Sequence, residues 1–135
     1  MSVGLLLITH DGIGDAMLDA ARRMLGGCPL RAEALPVALE VDLEALRDAA
    51  VRRARALDDG DGVLVLTDLY GSTPSNIAAS LAGDRAVRVV AGLNLPMLVR
   101  VLNYPADDVE TLADKAVSGG NRGILQCGTG PRDTA

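Results

Sequence analysis

The sequence predicts an α/β fold in three layers, α/β/α, with helices on both faces of a mainly parallel sheet, and three observations predict it. Two unbroken apolar runs, Leu5-Leu6-Leu7-Ile8 and Val63-Leu64-Val65-Leu66, read as strands buried on both faces, as central strands of a parallel sheet are. Segments of helical period alternate with the strands, the pattern of βαβ units with right-handed crossovers. Turn signals built on Gly12, Gly26-Gly27, Gly60, Gly62 and Gly92 punctuate them. At 135 residues, 49% hydrophobic and 23% charged, the expectation is one domain over residues 1–127 and a tail over 128–135.

Taken in order, the first strand ends at His10, the chain's single histidine, and Gly12 and Gly14 turn it into a helix. That helix is expected from Asp15 to Leu25, with Met17, Ala20, Ala21, Met24 and Leu25 as its inner face and Gly26-Gly27 as its stop. Ala32 to Val37 reads as a short strand at a sheet edge, because Pro36 cannot donate to a ladder. Asp42 caps a helix through Leu57, whose stripe is Leu43, Leu46, Ala50, Ala54 and Leu57. Its arginines, Arg47, Arg52, Arg53 and Arg55, read as a solvated face.

The run Val63 to Thr67 ends at Asp68, and Ser72 or Thr73 then caps a helix with Pro74 in its first turn, reaching about Ala82. Val87 to Ala91 is a strand, and Pro96 opens a helix ending near Asn103. Asp107 and Glu110 precede a helix to Val117, stopped by Gly119-Gly120, and Gly123 to Cys127 is expected to add a short C-terminal edge strand. In a sheet of order 2-1-3-4 the first and third strands are neighbours whose connections leave in opposite directions. Their C-terminal ends then frame a switch-point crevice, and ligands of open α/β sheets collect there. This order brings together His10 and Asp68, with Tyr70, Gly71, Ser72 and Thr73 on the same rim and Asn94 from the fourth strand's loop.

Composition narrows the function. A net charge of -5 with no Phe or Trp argues against nucleic acid, which needs clustered cations and, for single strands, stacking aromatics. Val3 to Ile8 is too short to cross a bilayer and no Lys or Arg precedes it, so no membrane insertion and a cytoplasmic location are expected. Cys28 and Cys127 form no CxxC pair, and with one histidine they make no recognisable metal-ligand set; no metal and no cofactor is expected.

A histidine beside a carboxylate, under a helix N-terminus, suits three chemistries. In phosphoryl transfer the imidazole is the nucleophile, Asp68 orients it, and the Ser72-Thr73 turn holds phosphate oxygens. Hydrolysis with Ser72 as nucleophile lacks a G-x-S-x-G elbow, and nucleotide binding lacks the glycine fingerprint and the P-loop lysine. Each residue also has a purely structural role open to it: Asp68 in a turn, Ser72 and Thr73 as caps, Asn94 within its own loop, Gly12 and Gly14 for backbone geometry.

Three motifs in order bear a resemblance that covers nearly the whole chain. Thr9-His10, Asp68-Leu69-Tyr70-Gly71-Ser72-Thr73-Pro74 and Ala91-Gly92-Leu93-Asn94-Leu95-Pro96-Met97-Leu98 resemble the mannose/fructose-type IIA domains of the bacterial phosphoenolpyruvate-dependent sugar phosphotransferase system. The resemblance implies that His10 takes a phosphoryl group from the phosphocarrier protein HPr and passes it to a IIB domain. It also implies that Asp68 hydrogen-bonds the imidazole, that Gly71, Ser72 and Thr73 steady the phosphoryl group, and that Thr9, Tyr70 and Asn94 stand on the rim. In such domains the ring is usually modified at Nε2, and the domain is a homodimer whose C-terminal strand can pair across subunits. A regulatory alternative is implied by similar stand-alone IIA proteins, whose phosphorylation state governs binding to a partner protein without sugar transport. The IIA-like domains that phosphorylate dihydroxyacetone kinase are a related branch.

Overall fold

The computed structural model describes residues 2–128. Four parallel strands, β1 (Gly4–His10), β2 (Ala32–Val37), β3 (Val63–Thr67) and β4 (Val87–Ala91), form one sheet in the order β2-β1-β3-β4. Five helices surround it: α1 (Ile13–Leu25), α2 (Leu43–Leu57), α3 (Thr73–Ser80), α4 (Leu95–Leu102) and α5 (Val109–Arg122). Alternation along the central strands divides the core. Leu5 and Leu7 of β1 join Leu64 and Leu66 of β3 beneath α1, α4 and α5, where they meet Leu18, Ala21, Leu98 and Leu112. Leu6 and Ile8 join Val63 and Val65 on the other face, against Leu46, Ala50 and Ala54 of α2 and Ile77 and Ala78 of α3. Both central strands are buried on both sides, so their apolar runs are continuous. Fully burying each such leucine or isoleucine stabilises the fold by about 1.5–3 kcal/mol. Pro36 lies in β2, an edge strand, where a missing donor is tolerated.

Several expectations are corrected. Among the described residues no strand follows α5: 124–127 are exposed and unpaired, since the segment has no alternation to bury and glycines on either side. Of the expected tail, 129–135 lie outside the described residues. α1 begins at Ile13, because Gly12 at φ 90° already turns the chain, and its buried line is Gly14, Leu18 and Ala21 while Met24 is exposed. Leu43 likewise leaves the α2 stripe for solvent, and α3 ends at Ser80.

α5 runs through Gly119-Gly120 to Arg122, and its cap is Asp108, whose carboxylate accepts from the Thr111 N–H at 2.8 Å. That bond holds the Asp108 carboxyl below its ordinary pKa. Asp107 instead pairs with Lys115, which also lies over the Tyr104 ring. The glycine pair serves a helix crossing: a Cβ on Gly119 would stand 2.7 Å from Arg100 Cβ, and one on Gly120 3.0 Å from Met97 Cε, so their absence lets α5 close on α4. No helix of the described residues is long and apolar enough to cross a membrane.

The crossing makes a testable distinction. Were Gly119 only a helix stop, Gly119→Ala would gain up to about 1 kcal/mol of helix propensity. Because the new methyl meets Arg100 near its backbone, the expected result is a net loss of about 1–3 kcal/mol in urea denaturation.

Candidate functional site

The site begins with how β1 ends. Thr9 is buried, and its hydroxyl donates to the His10 carbonyl at 2.8 Å while accepting from the Gly14 N–H at 2.9 Å. One side chain therefore ties the end of the strand to the start of α1. Gly14 allows this closeness, since a Cβ there would lie 3.1 Å from Thr9 Oγ1 and 3.2 Å from Ala34 Cβ. On the β2 side, the Asp11 N–H donates to the Val37 carbonyl at 3.2 Å. The backbone carrying His10 is thus held from both directions.

Asp68 follows directly on β3. Its Oδ2 lies 2.8 Å from His10 Nδ1 and accepts the His10 backbone N–H at 3.1 Å, and its Oδ1 accepts the Leu69 N–H at 3.0 Å. The Asp68 side chain is 10% exposed and the His10 ring 39%. Burial acts to raise the Asp68 pKa, but the hydrogen bonds from the His10 ring and backbone, with the charge of the ring, outweigh it and hold the carboxyl below its ordinary 3.8. Asp68 is therefore an ionised acceptor at neutral pH, with no proton to give. The proton of the Nδ1–Oδ2 contact belongs to the imidazole, so in the neutral ring Nε2 carries the free lone pair. The geometry assigns this tautomer through the partner of Nδ1.

The loop after Asp68 is built to hold its shape. Gly71 adopts φ 87°, a conformation that favours glycine. Ser72 caps α3: its hydroxyl donates to the Leu69 carbonyl at 2.6 Å and accepts from the Ser75 N–H at 3.4 Å. Ser75, buried, accepts in return from the Gly71 N–H at 3.3 Å. With Pro74 lacking an N–H and the Asn76 N–H donating to the Ser72 carbonyl, the Thr73 N–H is left as the uncapped donor of the first turn. Thr73 and Pro74 line a cleft of about 290 Å³ together with His10.

The sequence-predicted residues separate into two groups. His10, Asp68, Gly71, Ser72 and Thr73 gather at the C-terminal ends of β1 and β3, although the hydroxyl proton of Ser72 is already committed to Leu69. Thr9 lies beneath the turn, not on the rim, because its hydroxyl is spent on the backbone. Tyr70, on the Asp68 loop, is 85% exposed and does not line the cleft. Asn94 caps α4 by accepting the Met97 N–H at 2.9 Å and donates to the Gly120 carbonyl at 3.1 Å. It lines a separate hollow beside Ala91, Gly92 and Ile124. Sequence reading missed the far wall of the cleft, formed by Val37, Ala38, Leu39, Val41 and Leu43 of the β2–α2 connection. The signal was present in the strand order, which puts β2 beside β1 as surely as β3. Ser75 was missed too, since no local pattern announces its bond to the Gly71 N–H.

A family model described as "PTS system fructose IIA component" matches residues 4–117. The chain belongs to this family. The parallel 2-1-3-4 sheet matches the fold of mannose-type IIA structures. The mannose-specific EIIAB component of Escherichia coli strain K12 is 29% identical over 127 residues, which are 92% of this chain and 39% of that protein. The chain therefore spans well under half the length of that relative. The fructose-specific EIIA component of Bacillus subtilis is 34% identical over 99 residues, 73% of this chain and 68% of the relative. Among solved structures, the mannose/sorbose specific IIA subunit from Enterococcus faecalis superposes with a TM-score of 0.82 at 27% identity, covering 95% of this chain and 96% of that one.

The Asp68 geometry has a pH consequence. A carboxyl whose folded pKa is depressed contributes stability that is present above its unfolded value, here the ordinary 3.8, and lost as pH falls through the folded value. The stability difference between the wild type and Asp68→Asn should therefore be largest near neutral pH and shrink below about pH 3.8. Urea midpoints measured from pH 7 to pH 3 check it.

Proposed function

We propose that the chain is a phosphocarrier that accepts a phosphoryl group on His10 from phospho-HPr and passes it to a IIB domain. The observation that carries the reading is the 2.8 Å contact between His10 Nδ1 and the ionised Asp68, which leaves Nε2 as the nucleophilic atom at the edge of an open cleft. In the forward step the Nε2 lone pair forms the new N–P bond while the N–P bond of the donor's phosphohistidine breaks, and the departing imidazole keeps that electron pair. Nδ1 keeps its proton, hydrogen-bonded to Asp68, whose negative charge offsets the positive charge that grows on the His10 ring. On this reading the Thr73 N–H, uncapped at the N-terminus of α3, and the Thr73 hydroxyl meet the equatorial phosphoryl oxygens; Thr73 lining the same cleft as His10 supports it. Transfer to the acceptor is the same displacement in reverse sense, and no water is needed in either direction.

Incubation with phosphoenolpyruvate, the first enzyme of the system and HPr should yield one acid-labile, alkali-stable phosphate per chain, and none in His10→Ala. Asp68→Asn should slow uptake by about ten- to hundredfold, the usual cost of losing a partner that orients an imidazole. Labelling of His10→Ala to the wild-type level would sink the assignment.

A homodimer belongs to the same reading. Among the described residues β4 has a strand partner on one side only, and the apolar side chains of Val117, Ile124 and Leu125 are exposed, with Val117 and Ile124 beside its C-terminal end. Sedimentation equilibrium should report a dimer for the wild type and a shift towards monomer for Ile124→Asp with Leu125→Asp; an unchanged mass would remove this face from the interface.

A further inference from the structure

We propose that the hollow between the C-terminal ends of α2 and α3 is a binding site for a small aliphatic α-amino acid, held as a zwitterion. The hollow has a volume of about 250 Å³ and lies beside Val63 and Val87, the first residues of β3 and β4, at the opposite end of the sheet from His10. It exists because α3 has 8 residues against the 15 of α2 and stops at Ser80, short of covering the strand starts. Small residues keep it open: Ala54 on α2, Ser80 at the end of α3 and Gly83 after it, where a Cβ would meet nothing within 4 Å. The rest of the apolar lining is branched aliphatic, Val51 and Leu81 with Val63 and Val87 of the sheet. A volume below the roughly 300–1,000 Å³ of sites for drug-sized ligands suits a small metabolite.

Charge fixes the class of ligand. Arg55, Asp58 and Asp84 line the same hollow, and none of them forms an ion pair among the described residues. Both carboxylates are nonetheless held in place by their own backbone. Asp58 Oδ1 accepts the Gly60 and Gly62 N–H groups at 2.8 and 3.1 Å, and Asp84 Oδ1 accepts the Ala86 N–H at 2.9 Å. Oδ2 of each is left to accept from a ligand, and carboxylates already fixed lose little freedom when one binds. α2 and α3 both end here, and the negative ends of two helix dipoles favour a cation. An ammonium group therefore belongs beside Asp58 and Asp84, and a carboxylate belongs on the Arg55 guanidinium, whose fork matches it. A simple organic acid would face two aspartates and two helix C-termini. A simple amine would leave Arg55 unanswered. A zwitterion with a branched aliphatic side chain meets the cation, the anions and the apolar lining together.

The test is isothermal titration of the full chain with L-leucine, and with glycine, isocaproate and isoamylamine, which lack in turn the side chain, the ammonium and the carboxylate. L-leucine should bind, and each truncated probe should bind at least about tenfold more weakly. Arg55→Gln and Asp84→Asn should each weaken L-leucine about tenfold, the loss of one charge-assisted contact. Both side chains are exposed, so an unchanged thermal midpoint without ligand will show that the variants are folded. On saturation the amide resonances of Leu81 and Gly83 should shift while that of Gly12, in the turn after His10, stays in place. Absence of saturable L-leucine binding up to about 10 mM, tenfold above a millimolar Kd, overturns the proposal. So does equal affinity for a truncated probe, which makes the hollow a site for another class of ligand, or unchanged affinity in both variants, which puts the amino acid elsewhere on the molecule.

Discussion

The lateral pairing of β1 with β3 is the constraint on which the rest of the molecule depends. In this register Ile8 lies opposite Thr67, so the two strands run out together and deliver His10 and Asp68 to the same edge. The hydrophobic pattern enforces it. A slip of one residue would turn Leu6 and Ile8 towards the face of Leu5 and Leu7 and expose the wrong set to each helical layer. The contact between Nδ1 and Oδ2 is therefore set by leucine, isoleucine and valine side chains in the layers below, before any polar group is considered. A parallel pair also needs a long crossover, and α1, β2 and α2 together supply it, with β2 laid beside β1 on the way.

The polar groups at this edge are compensated for lost water by hydrogen bonds, except Thr67 at the end of β3, whose buried hydroxyl has no partner among the described residues. Asp68 loses most of its contact with water, and three donors replace it: the His10 ring, the His10 N–H and the Leu69 N–H. The net result, a carboxyl held below its ordinary pKa, shows that the hydrogen bonds win over burial. Thr9 solves the same problem for the other strand, using one hydroxyl to satisfy both the His10 carbonyl and the Gly14 N–H. Ser72 and Ser75 close the third strand's loop, the Ser72 hydroxyl accepting from the Ser75 N–H and the Ser75 hydroxyl from the Gly71 N–H. Thr9, Ser72 and Ser75 each reach their own backbone neighbourhood, while Asp68 crosses from β3 to β1 to hold the imidazole.

What could be read from the sequence follows the range of the physics involved. The central strands, the helices between them and the pairing of His10 with Asp68 were legible because they depend on local apolar runs and on a strand order that topology rules restrict. The edge position of Ala32 to Val37 was legible through Pro36, which cannot donate to a ladder. The role of Gly119-Gly120 was not, because a glycine pair reads as a stop until Arg100 and Met97 are seen to occupy the space where side chains would be. The bonds of Asn94 to Met97 and Gly120 depend likewise on how α5 lies over α4, which no local pattern announces. The wall from Val37 to Leu43 lay within reach of the same strand-order reasoning that found Asp68. Attention to titratable residues passed over it, since aliphatic residues carry no chemistry of their own.

Electrostatics explains why such a site suits a carrier and not a store of phosphate. On the reading proposed above, a phosphoryl group on Nε2 brings roughly two negative charges to an edge that already holds Asp68, Asp11 and Asp15. Two unit charges about 4 Å apart repel by about 1 kcal/mol even in bulk water, and by about 4 kcal/mol at the effective dielectric of a protein surface. The protonated Nδ1, held against Asp68, cancels part of this while the ring is cationic. The remainder keeps the phosphorylated form high enough in free energy for a partner with a better-compensated site to draw the group away. Asp68 therefore acts in both halves of the cycle, orienting the nucleophile on entry and adding to the repulsion that favours departure.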